Sequence, residues 1–584
     1  MGLRRFVIDA WSWLNYKPVM ADASRPGSRA FPELAKTWMP PHELRRPAAY
    51  KVLASYDNNQ AGQLAAAGDD AGALERRELG DAANLVDTAL GYLLGSEQKV
   101  AVEGAEHADE ETPTPGAAEA VAVQERLRKW ADKELLTFRV QQAERAAVLL
   151  GDSVMVLAWN PEKQRPTLRV YDPGFIFPQR DDAEDEDFPG KVHLAWELPA
   201  DDDAGLKARV RRVTYELGPI SVSGEDDADG DGSTRARTYP WEPGRASNTT
   251  CYLTDGEWLL EDLKNGETLD RLPMNKASFR VRRDGTELNR LDLMIDFLPV
   301  VHIANTIPDG GEYWGRSVLA RVLQALDELA ATDSDSSAAS ATTGTPIIGL
   351  AGARLPVDRA TGTPQELQVK AGAVWQLGEA GRMDALDTSP QLAELRARVG
   401  HLLERIAANS RVTAAGLGML DATEVPSGYA LKLALGPLGA LIGMMRLARE
   451  HKYRLLFKMV QRLYQAGRAE GWTAGETLPA RLSWAPHTPT DRGAVLEEVV
   501  KAYGAGVLSL ETAVAMLLEA GYPVKDASQE VARIRAKAEQ EAAARMAEAA
   551  ARRGREDDDE EQQDDGPGVA GAKEQEREPV AAGR

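Results

Sequence analysis

The side chains best able to carry chemistry are thinly spread in this chain. Seven histidines stand at positions 42, 107, 193, 302, 401, 451 and 487, and no two form an HExxH or other close metal-binding pair. The single cysteine, Cys251, leaves no intrachain disulfide and no cysteine-based metal site. Asp227, Asp229 and Asp231, interleaved with Gly230 and Gly232, match the first half of a calcium loop. Such a loop needs a bidentate Glu at position 12. Thr238 stands there instead and the flanks read as strands, so the segment reads as an acidic loop. The phosphate loop GxxxxGK[ST] and the nucleophile elbow GxSxG are both absent, which argues against a motor ATPase and against a serine hydrolase. His401 reads as a packing or polar-face residue of a helix. Gly151-Asp152-Ser153 and Gly315-Arg316-Ser317 read as turn and helix-start residues, with Ser317 an N-cap. No catalytic residue, metal or cofactor is assigned, and the chain reads as a non-enzyme.

Charge gives a second kind of candidate. Arg446, Arg454, Lys458 and Arg462 recur at helical spacing. They read either as a DNA or intersubunit contact or as a solvated helix face. Lys432 lies nearer a Gly-rich loop and is the better DNA-facing candidate. The whole chain, with a net charge of −22, cannot grip DNA over its surface, because phosphate neutralisation drives non-specific binding. It can surround DNA with a repulsive wall.

These residues need elements to hold them. The length of 584 residues allows several domains, and 43% hydrophobic residues allow a sizeable core. Residues 1–45 read as an extended arm. Residues 46–100 and 119–149 read as helical, with Leu79, Val86 and Leu90 at helical spacing and an acidic loop at 101–118 between them. From 151 the pattern turns to strands: a hairpin over 151–171 with alternation at Val154 and Val156, then strands near 191–198, 207–218 and 249–260. Thr254-Asp255-Gly256-Glu257 carries the Asp-Gly signal of a type I′ hairpin turn. Acidic loops are read at 181–187 and 224–232. After Pro308 a helix places Val318, Leu319, Val322, Leu326 and Leu329 on one face. Short strands follow over 345–378, then a helix with Leu392, Leu395, Val399, Leu402 and Ile406 at near-heptad spacing. Residues 485–545 read as helical, turning near Gly504–Gly506 and Gly521–Pro523. The run REDDDEEQQDD from Arg555 reads as disordered. No signal peptide or myristoylation signal is read at the start. The apolar run Leu433 to Met445 falls short of the about 20 residues that span a bilayer. A soluble chain made in the cytoplasm is expected.

The most informative stretch runs from Gly416 to Leu463 and reads GLGMLDATEVPSGYALKLALGPLGALIGMMRLAREHKYRLLFKMVQRL. A Gly-rich polar loop opens into a long helix, apolar first and basic after, in which Gly436-Pro437 predicts a kink. With three other segments it carries a resemblance to a known family. Those segments are GDSVMVLAWNPEKQRPTLRVYDPGFIFP, PVVHIANTIPDGGEYWGRSVLARVLQALDELAATDSD and the small β-unit between two helices. Together, over roughly 45–535, the chain resembles the portal (head–tail connector) proteins of double-stranded-DNA tailed phages, in the form found in actinobacteriophages. Order and spacing carry the likeness, and no single motif is diagnostic.

The resemblance implies an α+β portal fold. After the arm (1–45) come an α+β wing (46–313), a stem helix (314–344), a small β clip (345–388) and a second stem helix (389–412). A tunnel loop (413–427), a long kinked helix (428–468), a helical crown (469–545) and a disordered acidic tail (546–584) follow. It implies Thr413, Gly416, Gly418, Asp421, Thr423, Glu424, Ser427 and Lys432 as DNA-facing, and Arg354, Arg359, Lys370 and Trp375 as a partner-binding clip. Trp375 reads either as a partner anchor or as clip core. The implied partners are further copies in a ring of about twelve, the terminase motor, a head-completion adaptor, major capsid and scaffold proteins, and double-stranded DNA passing non-specifically. No membrane is implied. The implied location is the portal vertex of the virion, after assembly in the host cytoplasm. A non-ring adaptor or scaffold-like protein is the alternative. A hydrolase or nuclease domain would need a carboxylate or histidine cluster that the sequence does not display.

Overall fold

Apolar residues recur every three to four positions through 81–94, 136–150 and 436–466, and all three stretches are helices. The computed structural model describes residues 38–61, 78–105, 116–179, 189–201, 205–220, 236–264, 266–308, 310, 312–344, 348–351, 382–385, 389–420, 428–485, 492–524 and 527–561. In chain order the first elements are α1 (Arg45–Asp57), α2 (Asp81–Leu94), β1 (Gln98–Val102), α3 (Ala117–Lys133), α4 (Leu136–Leu150), β2 (Asp152–Asn160), β3 (Arg165–Tyr171), β4 (Ile176–Gln179), β5 (Lys191–Leu198) and β6 (Arg209–Pro219). Then come β7 (Arg237–Thr238), β8 (Ala246–Ser247), β9 (Thr249–Leu259), β10 (Ser278–Phe279), β11 (Leu291–Asp292) and β12 (Val300–Ala304). The rest are α5 (Leu323–Gly344), β13 (Ile348–Ala351), β14 (Arg382–Ala385), α6 (Ser389–Ser410), α7 (Gly428–Ala434), α8 (Gly436–Ala466), β15 (Ala480–Trp484), α9 (Arg492–Gly504), α10 (Leu510–Glu519) and α11 (Ala527–Glu561). All named strand pairs are antiparallel, and the main run of strands from β2 to β12 has no α-helix within it among the described residues, an α+β organisation.

The chain divides into two compact units, Met1–Ala105 with Ala118–Pro489, and Glu106–Ala117 with Thr490–Arg584. In the first, β2 is the middle strand of the sheet β12-β2-β3. Six successive residues, Asp152 to Leu157, are buried, so the alternation read at Val154 and Val156 gives way to burial on both faces. α2, α4 and α8 contribute Leu85, Val86, Val140, Val148, Ile442, Met445, Leu456 and Phe457 to the same core. A second sheet, ordered β10-β9-β6-β5-β4 with β11 also on β9, carries a smaller core around Trp38, Phe177, Val210 and Trp258.

Two readings of the sequence change here. The arm read over 1–45 ends before residue 38: Trp38 is buried, its Nε1–H donates to Glu197 at 2.7 Å, and Pro41–Glu43 form a 3-10 turn leading to α1. Residues 1–37 lie outside the described residues. Asp255-Gly256 is not a hairpin turn but the middle of β9, which pairs with β6 from Arg209↔Leu259 to Pro219↔Thr249. The Gly supplies room rather than a positive φ. A Cβ on Gly256 would stand 2.9 Å from the Trp258 ring, and Asp255 is engaged by both Nε and Nη2 of Arg211.

The hairpin α5/α6 rises from this body. Ser317 Oγ accepts the Leu319 N–H and caps a 3-10 turn, Val318–Arg321, before α5 begins. The expected apolar face is present, with Val318, Leu319, Val322, Leu326 and Leu329 buried. Between the two helices β13 and β14 pair antiparallel, Ile348 opposite Ala385. β14 falls on residues not read as a strand in the sequence. Leu435 separates α7 from α8, and Pro437 sits in the first turn of α8, where its missing N–H costs nothing. The predicted kink is thus a break between two helices.

In the second unit α9, α10 and α11 meet around Val499, Ala513, Val514 and Val531. Ser509 caps α10 by accepting the Thr512 N–H. The tail read as disordered from 546 is helical as far as Glu561, since its Ala, Arg and Glu residues are strong helix formers. Residues 562–584 lie outside the described residues.

Candidate functional site

The loop between α6 and α8 is built on a strained but well-tied turn. Arg411 and Thr413 take positive φ of 64° and 65°, unusual for residues with a Cβ. Thr413 is held by its N–H to Ala407 O at 3.2 Å, and its Oγ1 accepts the Gly416 N–H at 3.1 Å. Gly416 is a close approach: a Cβ there would lie 2.2 Å from Val412 O and 2.8 Å from Leu438. Ala415 and Leu417 pack against the main core. Gly416 is half-buried, and its missing side chain makes room for Val412 O and Leu438. Exposure begins at Gly418, with φ of +71° and open space around it, and at Met419. Lys432 is exposed on α7. Asp421, Thr423, Glu424 and Ser427 lie outside the described residues, as do the clip candidates Arg354, Arg359, Lys370 and Trp375.

Two buried polar networks lie within the first unit. Glu144 and Arg449 form an ion pair with both side chains fully buried. Arg449 also donates to Asn305 O at 2.9 Å, Asn305 Oδ1 at 2.9 Å and Met445 O at 2.7 Å, while Tyr453 OH donates to Glu144 at 2.6 Å. Burial drives the Tyr453 hydroxyl well above its usual range, with the Glu144 charge adding to it. The second network centres on buried Asp152. It accepts from Tyr50 OH at 2.7 Å, His302 Nε2 at 2.8 Å and the Gly315 N–H at 2.9 Å. Gly151 and Gly315, read as separate turns, cross each other here. A Cβ on Gly315 would stand 2.2 Å from Gly151 O and 2.6 Å from Asn305 N. Trp314 lies edge-on to His302 and beneath the Arg46 guanidinium at 4.0 Å.

The basic stripe on α8 divides. Arg446 is an internal tie, donating to Leu93 O and Ala485 O at 2.8 Å each, and burial lowers its guanidinium to about 10. It fits neither the DNA-contact nor the solvated-face reading. Arg454 pairs with Glu450 at 2.9 Å and Arg462 lies 5.3 Å over the Trp241 ring. Lys458 is exposed. His401 lies on the exposed face of α6. At the base of the hairpin Tyr56 OH donates to Asp327 at 2.7 Å, and Arg398 pairs with Glu328. Among the described residues no group of three or more His, Cys, Asp or Glu is placed to hold a metal, and no helix is long and apolar enough to cross a membrane.

No family model and no curated protein matches the chain. Among solved structures it is similar to a chain from the neck of a native GTA particle, computed with C12 symmetry. The two are 13% identical with a TM-score of 0.34, over 76% of this chain and 89% of that one. A likeness at that score carries no argument about this chain.

Proposed function

We propose that this chain is a portal subunit. About twelve copies close a ring at one capsid vertex. Double-stranded DNA enters and leaves through the ring, and terminase and a head–tail adaptor dock on it. The observation that supports this reading is one continuous arrangement: the α5/α6 hairpin with β13 and β14 between its helices, then the 411–420 turn, then α7 and α8. It has the element order that the sequence resemblance implies for stem, clip, tunnel loop and supporting helix.

Physical chemistry supports the ring. Each hairpin helix has 22 residues, about 33 Å of helix. Leu395 and Val399 of α6 stay only half-buried within one chain. Neighbouring hairpins in a ring cover such residues, as repeated elements do. The role is mechanical, with no chemical step. Gly418 and Met419 yield to passing DNA, Lys432 makes transient phosphate contacts, and the remaining acidic wall repels. Capsid and scaffold proteins meet the wing.

Light scattering on the purified protein tests the reading. A mass of about twelve chains is expected. A species that stays monomeric at high concentration overturns it and favours a non-ring adaptor.

A further inference from the structure

Three segments of the first unit enclose a cleft of about 710 Å³: the turn at 241–245, α8 from His451 to Arg462, and residues 476–480. Arg245, Arg454, Lys458 and Arg462 line it, against two carboxylates, Glu242 and Glu476. Its walls include Trp241, Leu455 and Leu478. Arg462 is incompletely matched. Its nearest carboxylates stand at 3.6 and 3.8 Å, and its buried Nε has no hydrogen-bond partner. The Arg245 side chain is 81% exposed, and Lys458 is exposed too. A guanidinium whose carboxylates stand no nearer than 3.6 Å, with exposed Lys458 and Arg245 at the rim, is a lining suited to carboxylates.

We propose that this cleft binds a carboxylate-rich segment of a second copy of this chain, an inference that rests on the ring reading. Charge complementarity selects the occupant: a local cationic lining in a chain of net charge −22 meets its own acidic runs. The run at 556–561 places six carboxylates in six residues but has no apolar neighbour; the run at 181–187 places six in seven and is followed by Phe188, an apolar side chain for the Trp241 and Leu478 walls. The run at 224–232 is broken by Gly224, Gly230 and Gly232. DNA fits less well. Glu242 and Glu476 repel any anion, but a peptide also brings backbone N–H donors for them, which a phosphate backbone lacks.

The test uses the full-length chain with Asp181, Asp182, Glu184, Asp185, Glu186 and Asp187 changed to Asn or Gln, so that its own run is silent. The probe is a fluorescent peptide of the sequence 180–190, followed by anisotropy. Saturable binding that weakens with salt is expected. Adding Lys458→Glu and Arg245→Glu, both at exposed positions, lowers affinity by about tenfold or more. Equal binding to the charge-reversed chain, absence of saturation, or displacement by a short DNA duplex overturns the proposal. The mass of the unaltered chain is measured alongside. A ring whose neutralised variant does not bind peptide overturns this inference alone, and a monomer whose variant binds it overturns the ring reading alone.

Discussion

The frame around Asp152 and Arg449 and the turn at 411–420 are held in different ways. In the frame, buried charges are matched on all sides: Arg449 donates to Glu144, Asn305 and Met445, and Asp152 accepts from three elements distant in sequence. In the turn, Val412 is buried and Leu417 packs on the core, while Gly418 and Met419 are exposed and are tied back through their N–H groups to Ala415 O and Ala414 O. On the proposed portal reading, such a body with a short exposed turn would let the channel wall stay in place while one part of it gives way. The contrast predicts that equivalent changes in the two regions differ in cost.

The largest difference is at Arg449. Arg449→Leu leaves the Glu144 carboxylate buried without its cation and is expected to cost about 3–5 kcal/mol in denaturant unfolding. A loss below 1 kcal/mol would show that the frame is not the rigid part. The glycines give a matched pair. Gly315→Ala drives a methyl group into Gly151 O and should cost about 1–3 kcal/mol. Gly418→Ala meets open space, and only its positive φ costs, about 1 kcal/mol. Equal thermal shifts for the two would erase the comparison.

A pH series sharpens it further. Burial, with Arg212 and Lys191 nearby, holds the His193 imidazole down at about 3. Its folded value lies below the ordinary 6.5, so the neutral ring contributes fully above pH 6.5 and that contribution is lost as the pH falls toward 3. Between pH 6.5 and 5 the loss is about 2 kcal/mol. His193→Gln removes this part of the slope in urea midpoints measured against pH, and an unchanged slope refutes the assignment. The smallest stability effect is at Lys432, where Lys432→Glu changes stability by no more than about 0.5 kcal/mol. It should nevertheless reduce the DNA packaged per particle. Unchanged packaging would remove Lys432 from the channel wall.

Local chemistry explains which features were legible in the sequence. The Val318–Leu329 face, the β2–β3 hairpin and the break at Leu435 follow from periodicity and from proline, so short windows contain them. Gly256 and the Gly151–Gly315 crossing were not legible as such. Their glycines are required by Trp258 and by a backbone far away in sequence, and a window that sees only Asp-Gly reads a turn. The basic stripe misled for a related reason: spacing groups Arg446 with Lys458 but does not say which way the helix is rotated. Arg449 did carry a readable signal. It lies four residues from both Met445 and Tyr453 on the apolar face of α8, a position where an arginine has to be paired. Of the described loop candidates, Thr413 and Gly416 are half-buried, while Gly418 and Lys432 are exposed.

The central claim, a ring whose 413–427 segment faces the hole, is tested most directly by labelling. Cys251 is fully buried and burial pushes its thiol up to about 12, so it resists maleimide chemistry. Met419→Cys then offers one reactive thiol in the exposed part of the turn. Electron microscopy of the particle carrying a gold–maleimide label is predicted to show gold on the axis of a ring, within its central hole. Gold at the outer rim, or a labelled particle without a hole, contradicts the account.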